Sequence, residues 1–403
     1  MRNWGFHHAA LGIFAAALLA GCGASQPPID LHATNAQDAA PSARRDKASY
    51  KVLYIFKAKP DGSHPIAGLI NVNGTLYGTT RRGGPLRHGE VFSITPEGTE
   101  QTVFGFRHAH GSDPAAGLID VNGTLYGTTA GGGGERRGIV YSLTTDGVEH
   151  VLRRFLMKGR RGANPVASLV NAGGTLYGTT KYGGAYGDGT VFSITTTGTH
   201  KLLYSFGYGA DGKNPVAALI DVGGTLYGTT YSGGTSGNGV VFAVTTGGAE
   251  SVLYNFGSGT DGSHPAAGLL DVNGTLYGTT SSGGTNDLGT VFSIGKSGSE
   301  KVLYSFGSGT DGSHPYAGLI DVKGTLYGTT RNGGTGACSC GTVFSITTAG
   351  TETVLHDFAD SDGAGPLAAL LDVAGVLFGT TGYGGSHKGD CSPGCGVVFA
   401  LRP

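Results

Sequence analysis

From residue 50 to residue 403, short runs of β-branched and aromatic residues alternate with glycine-rich polar segments. Asn273-Gly274 lies between two such runs and favours a tight hairpin turn in which both residues have positive φ. In this copy the pattern predicts four strands, which we name a to d: Ala267–Val272, Thr275–Thr280, Thr290–Ile294 and Lys301–Phe306. The spacing of runs and turns therefore predicts a small antiparallel sheet.

The same unit recurs along the chain with a period of about 50 residues. The motif Leu-Tyr-Gly-Thr-Thr begins at Leu76, Leu125, Leu176, Leu226, Leu276 and Leu326, and returns as Leu-Phe-Gly-Thr-Thr at Leu377. Four strands in a unit of this length are typical of a β-propeller blade.

The ends of the repeat region indicate how the ring closes. The region begins with a d-type run, Lys51–Phe56, and ends with a c-type run, Val397–Leu401. Pairing these two runs completes a seventh blade, whereas an open solenoid would need atypical capping repeats. The sequence predicts an all-β fold, a closed seven-bladed β-propeller over residues 50–403 with four antiparallel strands in each blade.

Strand a carries a small residue at one repeated position, which suits the strand nearest the axis. Because backbones converge there, a large side chain would have no room. The residues are Gly68, Gly117, Ser168, Ala218, Gly268, Gly318 and Ala369.

The first 49 residues have a different composition. Arg2 precedes the apolar run Ala9–Ala20, which is typical of a signal peptide over residues 1–21. At about 12 residues the run is shorter than the roughly 20 that a membrane-spanning helix needs. Residues 22–49 are polar, rich in Ala and Pro and poor in aromatic residues, so we expect a disordered tether.

The run Leu19-Ala20-Gly21-Cys22 resembles the bacterial lipobox. The resemblance implies cleavage before Cys22, lipidation of Cys22 and export to a membrane-anchored position. Gly23 stands where the inner-membrane retention signal would have Asp, which implies sorting to the outer membrane. Whether the protein faces the periplasm or the cell surface stays open. The alternative is an ordinary secretory signal with an incidental cysteine.

The repeat region also resembles the bacterial GloVer tandem repeat. The motifs are Leu276-Tyr-Gly-Thr-Thr280, Gly283-Gly284, Gly289-Thr-Val-Phe292, Leu303-Tyr-Ser-Phe306 and Asp311-Gly-Ser-His-Pro315. The resemblance implies an exported or surface protein and brings no catalytic or ligand-binding residues with it. Function therefore has to be argued from sites on the fold.

Composition excludes several classes of protein. The chain has 77 Gly in 403 residues, only 14% charged residues and a formal net charge of −1. This composition argues against a helical bundle, a coiled coil or a nucleic-acid-binding protein with a dominant positive charge. We expect a monomer without a cofactor.

Charge is nevertheless uneven along the chain. Lys and Arg outnumber Asp and Glu by 14 to 9 over residues 51–162 and are outnumbered by 9 to 16 over residues 163–403. Most of the excess falls in the d–a and b–c loops, which we expect on one face of the ring. We predict a binding sector for an acidic glycan or a lipid phosphate, the alternative being a solvated rim. The residues are Arg81, Arg82, Arg87, Arg107, Arg136, Arg137, Lys158, Arg160 and Arg161.

Carboxylates and imidazoles also recur in the d–a loops. The carboxylates are Asp61, Asp113, Asp211, Asp261, Asp311 and Asp362, and the imidazoles are His64, His264 and His314. A ring of carboxylates around a cation is one interpretation. We favour turns in which Asp fixes the loop backbone ahead of Pro, and we interpret the histidines as individual surface residues, with no metal site.

Four cysteines follow Cys22, all in the b–c loops of the last two blades. They are Cys338, Cys340, Cys391 and Cys395. Export and an even count favour disulfides. Cys391–Cys395 fits within one loop, whereas Cys338–Cys340 would close a very small ring, so pairing between the loops stays open. A four-thiolate zinc site is the alternative.

No sequence motif for catalysis is present: the chain has no Gly-x-Ser-x-Gly, phosphate loop or His-Glu-x-x-His. We therefore expect a lipid-anchored envelope propeller that acts as a binding or scaffold module, with an acidic polysaccharide or an envelope protein as partner. One alternative is an enzyme, a lyase or glycosidase acting on an exported carbohydrate or peptide-like substrate. Another is a purely structural envelope protein.

Overall fold

Each repeat folds as a four-stranded antiparallel sheet with strand a innermost and strand d outermost. The structure, a computed structural model, describes residues 48–156, 161–257, 259–307, 310–387 and 391–403. Within these residues the seven sheets form a closed ring, because each strand a contacts the next and that of blade 7 contacts that of blade 1. The predicted seven-bladed β-propeller is confirmed.

The strands are short, and their bounds repeat from blade to blade. Strands a are Ile70–Val72, Ile119–Val121, Val170–Ala172, Ile220–Val222, Leu270–Val272, Ile320–Val322 and Leu371–Val373. Strands b are Thr75–Thr80, Thr124–Thr129, Thr175–Thr180, Thr225–Thr230, Thr275–Thr280, Thr325–Thr330 and Val376–Thr381. Strands c are Glu90–Ile94, Ile139–Thr144, Thr190–Thr195, Val240–Thr245, Thr290–Gly295, Thr342–Thr347 and Val397–Arg402. Strands d are Glu100–Gly105, Glu149–Arg154, His200–Ser205, Glu250–Asn255, Glu300–Ser305 and Glu352–Asp357 in blades 1 to 6, and Ser49–Ile55 in blade 7.

Two small elements interrupt the loops: a ladder between Gly62–Ser63 and Arg82–Gly83, and a 3-10 turn at His108–His110. Across the described residues no helix is both long and apolar enough to cross a membrane.

The fifth repeat shows where the sequence prediction was accurate and where it was not. Asn273 and Gly274 adopt φ of 53° and 86°, so the predicted hairpin turn is confirmed. Strand a, however, is only Leu270–Val272, three residues shorter at its start than predicted. The small-residue segment before it runs along the axis without pairing in a sheet.

The ring closes through the predicted pairing of its two ends. Strand Ser49–Ile55 pairs antiparallel with Val397–Arg402, and Tyr50 lies opposite Leu401. The strand begins at Ser49, which the sequence had assigned to the tether. The rest of the predicted tether before residue 48, the signal peptide and Cys22 lie outside the described residues.

Two contacts hold each blade to the next on the inner side of the junction. The first Thr of each Thr-Thr pair donates from Oγ1 to an Ala carbonyl of the following blade, at 3.0–3.5 Å. Thr380 makes this bond to Ala67 across the closure.

The second contact is aromatic. The Phe after each strand d packs edge-on against the aromatic ring of the next blade's strand c, with centroids 4.9–5.5 Å apart. All fourteen rings are buried. Because both faces of each sheet are covered, the core is a set of apolar layers between blades.

Candidate functional site

The d–a and b–c loops lie together on one face of the ring, as the strand order predicts. In blade 3, Ala163 of the d–a loop and Tyr182 of the b–c loop exchange two backbone hydrogen bonds, of 2.7 and 3.1 Å. The equivalent pairs recur in other blades, for example between Ser313 and Asn332. The long loops therefore form a continuous surface around the mouth of the axial channel.

The channel itself is narrow because small residues line it. A Cβ on Gly68 would lie 3.2 Å from the carbonyl oxygen of Ala369, and one on Gly117 would lie 2.9 Å from Ser168 Oγ. These distances confirm that backbones converge at this position of the repeat. The lined space is about 280 Å³.

At its mouth the channel widens into a concavity of about 470 Å³. Two repeated positions line it, the residue after the loop Pro and the residue after the Thr-Thr pair, and both vary between blades. The side chains include Ile66, Val166, Tyr316, Leu367, Arg81, Lys181 and Tyr231. Only Arg81 of these was predicted from the sequence. The others could have been recognised because the residue type changes between blades at an otherwise repeated position.

A second concavity, of about 440 Å³, adjoins the mouth at the junction of blades 7 and 1. It shares Ile66, Arg81 and Leu367 with the mouth. The other lining residues are Ala58, Lys59, Ser63, His64, Arg82, Gly83, Arg87, Tyr383, Ser392 and Pro393. We call it the basic concavity, because none of its described lining residues is acidic.

Five side chains set the charge of the basic concavity. Arg81 donates from Nε and Nη2 to the Asp113 carboxylate, so its charge is largely neutralised. Burial, and then the nearby Arg82 and Arg81, lower the pKa of the His64 imidazole, which keeps it neutral at pH 7. Lys59, Arg82 and Arg87 are exposed and carry the net positive charge.

A buried carboxyl group lies beneath the basic concavity. Glu90 is fully buried at the start of strand c, where the other blades have Thr, Ile or Val. Its Oε1 accepts a bond from the Gly62 backbone N–H and its Oε2 accepts one from the Thr102 hydroxyl. Burial raises the pKa of Glu90 to about 8, so the group is mostly protonated at pH 7 and does not cancel the basic charge. Glu90 was not predicted from the sequence as part of the site.

The structure brings together three of the predicted basic residues, Arg81, Arg82 and Arg87. Arg107 lies in a separate groove beside Leu86 and Glu149. Arg136 is exposed and Arg137 half-buried in the b–c loop of blade 2, and Arg161 is exposed between blades 2 and 3. Lys158 and Arg160 lie outside the described residues.

The recurring Asp residues brace loops, as predicted, but through different bonds. Asp211 accepts from the Tyr204 hydroxyl at 2.6 Å and from the Gly207 backbone N–H at 3.0 Å, four residues earlier in the chain. The carboxylate therefore ties its loop back to strand d and does not form a turn ahead of Pro. Asp113 is not an equivalent of these residues, because it occupies the position directly before Pro, and His110 takes the place of the bracing Asp.

The position before Pro also explains the three loop histidines. His64, His264 and His314 have φ of 59°, 56° and 54° there. Among side chains other than Gly, those of Asn, Asp and His are enriched in this left-handed conformation. In the described part of the chain, no three or more His, Cys, Asp or Glu side chains are placed to hold a metal ion.

The four cysteines form two disulfides within their own loops, Cys338–Cys340 and Cys391–Cys395. The second contributes to the site. The His64 backbone N–H donates to the Cys395 carbonyl at 2.8 Å, and Ser392 and Pro393, enclosed by this disulfide, form one wall of the basic concavity.

Comparison with known proteins identifies a family and several distantly similar solved structures. The sequence model of the Gloeobacter/Verrucomicrobia repeat matches residues 42–242 and 221–403. No curated protein matches.

Among solved structures, the gluconolactonase XC5397 from Xanthomonas campestris is similar, with 14% identity and a TM-score of 0.46 over 90% of this chain and 92% of the other. A candidate 6-phosphogluconolactonase from Bacteroides uniformis is 15% identical, with a TM-score of 0.46 over 72% and 84% of the two chains. At such identities and scores these similarities carry no argument about activity.

Proposed function

Since the chain belongs to the Gloeobacter/Verrucomicrobia repeat family, we propose that this propeller is a non-catalytic module that binds an acidic carbohydrate in the basic concavity. The supporting observation is the group Lys59, Arg82 and Arg87 around a concavity whose described lining residues include no carboxylate. A guanidinium group binds a carboxylate or sulfate with two parallel hydrogen bonds.

Aromatic and hydroxyl groups in the same concavity favour a sugar over a lipid headgroup. Tyr383 and His64 lie edge to face, with ring centroids 5.2 Å apart, and Ser63 adds a hydroxyl. An aromatic ring offers an apolar face to a pyranose, while Ser and Arg bind its polar substituents.

The continuity of the basic concavity with the channel mouth favours an extended ligand. Lys181 and the rings of Tyr231 and Tyr316 lie around that mouth. A negatively charged oligosaccharide can therefore contact both concavities at once, with Arg81 between them.

The first experiment measures retention of residues 48–403 on heparin and affinity for polygalacturonate oligomers by calorimetry. Arg82→Gln/Arg87→Gln removes two charge-assisted contacts, so we expect a loss of affinity of about tenfold to a hundredfold. Lys301→Gln/Lys323→Gln is the matched control. It removes the same charge from exposed positions, one on an outer strand and one in an a–b turn, and should retain wild-type affinity.

Three outcomes overturn parts of the proposal. Equal retention of both double variants excludes the basic concavity as the site. Release of product from the polysaccharide shows turnover and excludes a non-catalytic role. Binding to vesicles containing phosphatidylglycerol without binding to the oligomers assigns the site to lipid phosphate.

We propose further that the chain is exported and anchored to the outer membrane through lipid on Cys22. The supporting observation is the lipobox-like run ending at Cys22, with Gly23 after it. Mass spectrometry of the mature N-terminal peptide should show an acylated cysteine, and Cys22→Ser should release the protein from membranes. An unmodified Cys22 would contradict the anchor and leave the carbohydrate site untouched.

A further inference from the structure

Three positions recur on the outer side of the blade junctions, and at four junctions they form a polar network. They are the residue in strand d two before the buried Phe, the residue that begins the Asp-Gly pair of the next loop, and the residue near the start of the following strand d. At the junction of blades 3 and 4 these residues are Tyr204, Asp211 and Glu250, and the Tyr hydroxyl donates to Asp211 at 2.6 Å. The same Tyr–Asp bond, of 2.6–2.8 Å, recurs at three further junctions.

Two other junctions have different residues that still form a hydrogen-bonded pair. His110 replaces Asp at the junction of blades 1 and 2, and its Nδ1 lies 2.9 Å from Glu149 Oε2. His356 replaces Tyr at the junction of blades 6 and 7, where its Nε2 lies 3.1 Å from Asp362 Oδ2 and its ring stacks on Tyr50. At both junctions an imidazole nitrogen of His takes the place of a Tyr or Asp oxygen, and it lies within hydrogen-bonding distance of a carboxylate oxygen.

The junction of blades 2 and 3 has only basic residues at these positions, namely Arg153, Arg161 and His200. The Nε of Arg153 and the Nε2 of His200 are buried and have no hydrogen-bond partner among the residues that the structure describes. The imidazole is fixed by packing, because its ring stacks on Phe192 with centroids 5.4 Å apart and lies 6.0 Å from Phe155.

Burial and like charge both disfavour the protonated forms of His200 and Arg153. Burial, followed by Arg153 and Arg161, lowers the pKa of His200 to about 4. Burial and then Arg161 lower the pKa of Arg153 as well. A buried polar nitrogen without a hydrogen-bond partner destabilises the folded state, and here two such nitrogens lie among like charges.

We propose that Arg153, Arg161 and His200 form a binding site for a tetrahedral oxyanion, phosphate or sulfate, at the outer junction of blades 2 and 3. An oxyanion supplies acceptors for Arg153 Nε and for an N–H at His200 Nε2, and it offsets the repulsion between the two guanidinium groups. The exposed side chain of Arg161 gives the site an opening to solvent. This site lies on the outer strands, in different blades from the basic concavity.

The decisive variant rebuilds the network of the neighbouring junction. Arg153→Tyr/Arg161→Asp/His200→Glu places the residues of blades 3 and 4 at this junction. Melting is measured in sodium phosphate or sulfate against sodium chloride of equal ionic strength. We expect phosphate to raise the Tm of the wild type by several degrees, since an anion that binds only the folded state stabilises it. The rebuilt variant should show no phosphate-specific shift and a higher Tm in chloride.

Two further variants keep the test valid if the triple variant does not fold. Arg161→Gln changes an exposed side chain, and it should reduce the phosphate-specific shift and weaken phosphate binding in calorimetry by about tenfold. Arg82→Gln/Arg87→Gln should retain the full shift, which separates this site from the basic concavity. The same phosphate response in wild type, Arg161→Gln and the rebuilt variant would overturn the proposal, as would no response in the wild type.

Discussion

The inner and outer sides of the blade junctions differ in how far they tolerate change. On the inner side, the Thr-to-Ala hydrogen bond and the edge-on aromatic pair recur at all seven junctions of the described ring. On the outer side, the Tyr–Asp bond recurs at four, and the other three have His–Glu, His–Asp or only basic residues. We infer that the geometry of the ring depends on the inner contacts, which do not vary. The polar residues on the outer side vary, and they are where the blade junctions differ in charge.

The largest expected effect breaks the inner side of one junction. Phe292→Ala removes a fully buried ring that packs on Phe256. We expect the free energy of unfolding in a denaturant titration to fall by about 3–5 kcal/mol. Tyr208→Ala is the control, because that ring is 73% exposed, and it should change stability little. Equal effects of the two variants would contradict the role of the inner layer.

A smaller loss follows from removing an inner hydrogen bond. Thr279→Val keeps the shape of the side chain and deletes the hydroxyl that donates to Ala317 at 3.1 Å. The expected cost is about 1–2 kcal/mol, since a buried carbonyl loses a donor. Thr353→Val, at an exposed position of an outer strand, should cost almost nothing in the same titration. If Thr279→Val costs no more than Thr353→Val, the Thr279–Ala317 hydrogen bond does not stabilise the junction.

At one inner position, that of Tyr141, a substitution is expected to increase stability. Blade 2 has Tyr141 where the other blades have Phe, and its fully buried hydroxyl has no hydrogen-bond partner within the described part of the chain. We expect Tyr141→Phe to raise the free energy of unfolding by about 1 kcal/mol. The reverse change, Phe192→Tyr, should lower it by a similar amount. A lower free energy of unfolding in Tyr141→Phe would show that the Tyr141 hydroxyl stabilises the folded state.

The smallest effect is a pH dependence from the outer side. Burial, and then Asp261, raise the pKa of Glu300 to about 7 in the folded protein from an ordinary 4.5. The folded state therefore binds more protons than the unfolded state between pH 4.5 and 7, and stability falls as pH rises through this window. Tm measured from pH 5 to pH 8 should fall less in Glu300→Gln than in the wild type. Parallel curves would show that Glu300 titrates normally.

The architecture could be predicted from the sequence because the repeated motifs mark the strands and turns of each blade. The d-type run at the start and the c-type run at the end mark how the ring closes. Asn273-Gly274 specified a turn, and the unpaired runs at the two ends specified closure. Strand a was overestimated because Ala267 and Gly268 have strand-like neighbours but run along the axis, where no partner strand pairs with them. The network of Tyr204, Asp211 and Glu250 was missed because its members come from separate loops and strands, and only their proximity in the ring reveals their relation.

The basic concavity was partly predictable, since Arg81, Arg82 and Arg87 are close in sequence. Tyr383 was not predicted, because it joins the site only when the ring closes. Lys59 was not predicted, because its loop is brought beside Arg82 by loop pairing and not by proximity in the sequence. Glu90 could have been noticed as the one carboxylate at a position occupied by Thr, Ile or Val. Its protonation depends on burial, which the sequence alone does not show.

Closure between Ser49–Ile55 and Val397–Arg402 has a consequence for biosynthesis. The earliest strand of the ring to leave the ribosome is paired by the latest, so its hydrogen-bonding edge stays open through synthesis of more than 300 intervening residues. A nascent chain stopped short of Val397 would expose that edge together with the apolar faces of blades 1 and 6. Quality control of such fragments would then depend on synthesis of the strand Val397–Arg402.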